Sequence, residues 1–73
     1  MADKIRIALA GAGAVGREHL MRLVAMPDVE IAGIADPSET NLSSAAAQFG
    51  IARVEREARS FAAAGKPDGL IIA

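Results

Sequence analysis

Residues 4–20 read KIRIALAGAGAVGREHL, a short apolar run, a glycine cluster and then a mixed polar and apolar stretch. In Lys4–Ala10, Ile5, Ile7 and Leu9 share one side, and after Arg6 both sides turn apolar, as a strand covered on two faces requires. Gly11 to Gly16 then interrupts. From Ala14 to about Met26, Gly16, Leu20, Leu23 and Val24 recur at the spacing of one helical face while Arg17, Glu18 and Arg22 point elsewhere. That predicts an amphipathic helix, which Pro27 ends.

Working outward, Val29–Ala35 (VEIAGIA) reads as a second buried strand that stops at Asp36-Pro37. Asp36-Pro37-Ser38-Glu39 reads as a helix start, with Asp36 as the cap, proline in the first helical position and Glu39 placed to complete a capping box. This helix is expected to run to about Phe49, with Gly50 as its left-handed end and Ile51 making the accompanying apolar contact. Ala52–Val54 is read as a short third strand, Glu57–Ala64 as an alanine-rich helix closed by Gly65, and Gly69–Ala73 (GLIIA) as a fourth strand. The order β-α-β-α-β-α-β with short connections predicts α/β structure, a Rossmann-like parallel sheet of strand order 3-2-1-4 with right-handed crossovers. The fourth strand has no successor. Residues 1–73 are therefore expected to be part of a larger domain, incomplete at its C-terminal end.

Composition removes other classes. The 73 residues contain no cysteine, which excludes a disulfide-stapled or cysteine-bound zinc module and makes a reducing, cytoplasmic setting the expectation. A single histidine argues against a metal site. A net charge of −1 argues against nucleic acid or an anionic membrane bound through a basic face. No run approaches the ~20 apolar residues of a membrane span, and acidic Asp3 before Lys4 does not suit a signal peptide.

The segment Gly11-Ala12-Gly13-Ala14-Val15-Gly16 fits G-x-G-x-x-G, and each glycine has its own reason. The first permits the tight turn, the second lets backbone approach a pyrophosphate, and the third lets the helix pack close to the strand. The helix N-terminus then offers free N–H groups and a positive dipole end to phosphates. Asp36 stands twenty residues past Gly16, at the tip of the second strand. There a carboxylate accepts from a ribose 2′-hydroxyl and repels a 2′-phosphate, a role compatible with capping the next helix. NAD is favoured over NADP, since no arginine follows within two residues, although Ser38 could donate to a phosphate. His19 is expected to be a partly buried, locally bonded helix residue, and Arg17 a solvated one rather than a phosphate ligand. Arg53 to Glu57, with alternating charges, reads as solvated surface.

These residues resemble the start of the Gfo/Idh/MocA oxidoreductases, the glucose–fructose oxidoreductase and inositol dehydrogenase superfamily. The resemblance rests on IRIALAGAGAVGREHL with its Gly-x-x-His at Gly16 and His19, on MPDVEIAGIAD, on the alanine-rich helix ending at Phe49-Gly50, and on PDGLIIA. It implies a following α/β domain with an open sheet, a sugar or cyclitol substrate, and hydride transfer at a secondary alcohol assisted by a lysine in a Glu-Lys-Pro motif. Gly65-Lys66-Pro67 lacks that glutamate and precedes the fourth strand, so Lys66 is assigned to an exposed loop and no catalytic residue is expected within the chain. By the resemblance, Gly11, Gly13, Ala14, Val15 and Asp36 carry over as cofactor contacts, with backbone acting at the first four. Gly16 joins them as the motif's third glycine. The alternatives are a non-catalytic dinucleotide-sensing relative, another Rossmann reductase such as dihydrodipicolinate reductase or homoserine dehydrogenase, or a minimal folding unit. An exposed fourth-strand edge is expected to promote self-association.

Overall fold

The computed structural model describes residues 4–73. The elements are β1 (Ile5–Ala10), α1 (Ala14–Val24), β2 (Val29–Ala35), α2 (Glu39–Phe49), β3 (Val54–Glu55), α3 (Ser60–Ala63) and β4 (Gly69–Ile72). Their strands form one parallel sheet of order β3-β2-β1-β4, as the alternating pattern requires.

Pairing of β1 with β2 runs Ile7 to Ile31 and then Ala8 to Gly33, so Ala32 is an extra residue on β2. Strict alternation would send Ile31 and Ile34 to opposite faces. The shift puts both on the same side, where they pack with Leu9, Leu20, Leu42 and Ala45 between the sheet and α1 and α2. The other face is thin: Ala8, Ala35 and Phe61 form its core, with Ala32 and Ala58 against them. Gly33 makes that possible, because a Cβ there would stand 2.6 Å from Phe61 Cε1. The Phe61 ring therefore lies directly on β2.

Three element boundaries differ from expectation. Ser38, not Asp36, caps α2, accepting from the Asn41 amide at 3.2 Å. Pro37 thus precedes the cap, Glu39 becomes the first helical residue, and no capping box forms. β3 is only Val54–Glu55, held through the Ile34 amide on Arg53 O and the Asp36 amide on Glu55 O. α3 shrinks to one turn because the amides of Ser60, Phe61 and Ala62 close on carbonyls three residues back, starting at Glu57. α1 and α2 follow the predicted lines, α1 ending at Val24 with Ala25 as its cap. Gly50 (φ 66°) ends α2, and Ile51 packs on the core.

The charged segment Arg53–Glu57, which includes β3, is also more than solvated surface. Arg53 donates to Glu55 Oε2, Ser60 O and Gly65 O at 3.1 Å each, and its guanidinium lies 4.5 Å from the Phe61 ring centre. It braces the short β3–α3–β4 connection where a longer crossover helix would otherwise do so. Among the described residues no helix is long and apolar enough to cross a membrane, and no group of three or more metal-ligating side chains occurs.

Candidate functional site

At the C-terminal ends of β1 and β2 the chain turns through the glycine segment. Gly11 has φ 106°, a conformation that side chains other than glycine rarely adopt, and its amide donates to Ala35 O at 2.7 Å. At Gly16 a Cβ would overlap the Gly11 carbonyl, so this glycine is demanded by the packing of α1 on its own turn. Gly13 is different. Its φ of −79° is open to any residue, and a Cβ there would meet nothing nearer than Asn41 Nδ2 at 4.0 Å. Nothing in the chain's own packing asks for glycine at 13; the space it leaves faces outward.

Gly13 is also the N-cap of α1, with no side-chain cap and no acidic residue in the first turn. The helix's unpaired first-turn donors and positive dipole end are left for an external acceptor.

Asp36 closes the other side. Its Oδ2 accepts from the Ala12 amide at 2.8 Å and its Oδ1 from the Ser38 amide at 2.7 Å. These two backbone donors, in that order, hold the carboxyl below its ordinary pKa. The Asn41 side-chain amide adds to them, while partial burial opposes them. One ionised carboxylate thereby ties the glycine turn to the start of α2.

Gly11, Gly13, Ala14, Val15, Gly16 and Asp36, all singled out from sequence, line one open cleft of about 340 Å³ together with Asn41 and Ala73. Asn41 was not legible beforehand, because its place in the first turn of α2 depends on Ser38 rather than Asp36 being the cap. Arg17 is neither free nor in the cleft: its Nη1 donates to Gln48 Oε1 at 3.0 Å and its Nε to Ala12 O at 3.3 Å, linking α1 to α2. His19 is half-buried, without a ring partner among the described residues. Lys66 is exposed and precedes β4, whereas the cleft opens where β1 ends.

A cleft with backbone donors at a helix start, an open floor and a carboxylate on the neighbouring strand tip fits a dinucleotide: pyrophosphate over the glycines, ribose at the acid. The comparisons agree on the class. Residues 5–73 match the family model described as an oxidoreductase family, NAD-binding Rossmann fold. The chain belongs to the Gfo/Idh/MocA oxidoreductase family, and its fold is the NAD-binding Rossmann fold of that family. Among solved structures, a myo-inositol dehydrogenase from Corynebacterium glutamicum is 34% identical over 96% of this chain and 21% of its own, with a TM-score of 0.84. The WlbA dehydrogenase from Bordetella pertussis, in complex with NADH and UDP-GlcNAcA, is 28% identical over 100% of this chain and 21% of its own, at TM-score 0.89. An oxidoreductase from Agrobacterium radiobacter, in complex with NAD+, L-tartaric acid and magnesium, is 28% identical over 96% and 20%, also at 0.89. Comparison with curated protein sequences finds no match. The chain spans about a fifth of the length of the solved structures it matches.

Proposed function

We propose that this chain is the leading, cofactor-binding segment of an NAD-dependent oxidoreductase that transfers hydride to or from a secondary alcohol of sugar or cyclitol type. Bound NAD would supply the hydride acceptor. The chain's own residues bind and orient it. Backbone at Gly11, Gly13, Ala14 and Val15 cradles the pyrophosphate, Gly16 lets α1 approach close enough to present its N-terminus, and Asp36 accepts from the adenosine ribose. The observation that carries this reading is the open face at Gly13, a glycine the chain's own packing does not need. Residues for proton transfer would come from the remainder of the parent protein, and the cysteine-free composition supports a cytoplasmic setting.

Asp36 further supports NAD over NADP. Its ionised carboxylate would face a 2′-phosphate across a shared ribose, whereas a free 2′-hydroxyl donates to it. The polyol substrate rests on the inositol dehydrogenase and sugar-nucleotide dehydrogenase likenesses. Calorimetric titration of the protein with NAD and NADP tests the cofactor: tighter NAD binding, abolished preference in Asp36→Ser, is the expected pattern. Equal affinity of the unsubstituted protein for both would contradict it. Assaying the full-length parent protein on inositols and uronic acid sugars for NAD reduction at the nicotinamide absorbance tests the substrate class, and no turnover across that set would remove it.

A further inference from the structure

Apart from its backbone, the cleft has two polar side chains, Asp36 and Asn41. Both oxygens of Asp36 already accept from backbone amides, so the carboxylate is fixed in direction and has only part of its acceptor capacity left. Asn41 lines the same cleft. Its backbone amide donates to Ser38 Oγ, its side-chain amide is one of the influences that lower the Asp36 carboxyl, and Nδ2 is the nearest atom, at 4.0 Å, to the position a Cβ at Gly13 would take. Any group laid over Gly13 and reaching Asp36 passes this amide.

The helix does not require that side chain. Ser38 already caps α2, and asparagine is a poor helix former compared with the alanines that follow at 45–47. An amide offers two donors and an acceptor, whereas a carboxylate only accepts. A ribose hydroxyl that donates to Asp36 still has lone pairs needing a donor, and Asn41 is the side chain in the cleft able to supply one. We infer that Asn41 is the positioning residue for the adenosine ribose, holding Asp36 toward Gly13 and donating to the hydroxyl that Asp36 accepts from. This inference rests on the dinucleotide reading of the cleft.

The test compares NAD with its analogue lacking the adenosine 2′-hydroxyl, titrated against the unsubstituted protein, Asn41→Ala and Asn41→Asp. Asn41→Asp keeps the side chain's shape and places an acid in the first turn of α2, where the helix dipole favours it, so it covers the case in which the alanine variant does not fold. The unsubstituted protein should prefer NAD, and both variants should lose about tenfold in NAD affinity, the scale of one hydrogen bond. Their affinity for the deoxy analogue should change far less. Equal losses for both ligands, or no loss, would overturn the role of Asn41 while leaving the cleft's reading intact. Failure of the unsubstituted protein to bind NAD at all would overturn that reading, and the inference with it.

Discussion

Asp36 carries two jobs in one side chain. As a structural group it accepts from Ala12 and Ser38 and so joins the glycine turn to α2, and as a site group it presents negative charge at the tip of β2. Its position could be read from sequence by counting from Gly16, but its partners could not, since the Ala12 bond spans 24 residues and exists only once β1 and β2 are side by side. The lowered pKa has a consequence for stability. A carboxylate whose folded pKa lies below its unfolded value of 3.8 stabilises the fold above that value and loses the contribution as pH falls through the folded pKa. Urea unfolding measured from neutral pH downward should therefore show a shallower acid limb for Asp36→Asn than for the unsubstituted protein, together with lower stability at neutrality. Superimposable pH profiles would contradict the coupling of this carboxyl to folding.

At the level of elements, long amphipathic segments were legible and short ones were not. β1 and α1 declare themselves because each presents enough apolar positions at one period, from Ile5, Ile7 and Leu9 to Leu20 and Leu23, while β2 shows as a continuous apolar run and α2 through its polar start and its end at Gly50. Asp36 and Ser38 are both good capping residues two positions apart, so the local sequence does not decide the α2 cap. What decided between them was tertiary: Asp36 is drawn to the Ala12 amide, which leaves Ser38 to cap. Ser38→Ala should accordingly lower unfolding free energy by about 1 kcal/mol, read from urea midpoints, with NAD affinity changed mainly through displacement of Asn41. A loss no larger than that of an exposed serine such as Ser43→Ala would contradict the assignment. The β3–α3 stretch was the least legible. Its order comes from Arg53 reaching Glu55, Ser60, Gly65 and the Phe61 ring, contacts that no local periodicity records.

Across the whole molecule the two sheet faces are unequal. One is filled by two full helices, and the other by Phe61 and alanines. On the thinner side β4 leaves Leu70 43% and Ile72 80% exposed, on an edge strand with no charge or proline within Gly69–Ile72. Such an edge invites pairing with another strand. The 73-residue chain is expected to associate with concentration in sedimentation, and Ile72→Lys to shift it toward monomer. A stable monomer at high concentration without the substitution would contradict this. The same architecture puts the cleft where β1 and β2 end and α1 begins, so binding and folding make separate demands on neighbouring glycines. Gly16→Ala should disrupt the packing of α1, because its Cβ would overlap the Gly11 carbonyl, whereas Gly13→Ala meets open space. The most direct measurement is the pair of urea unfolding and NAD titration on Gly13→Ala. Unfolding free energy within about 1 kcal/mol of the unsubstituted protein, with NAD affinity reduced at least about tenfold, is the predicted result. NAD binding undiminished in a folded Gly13→Ala protein would contradict the cradle.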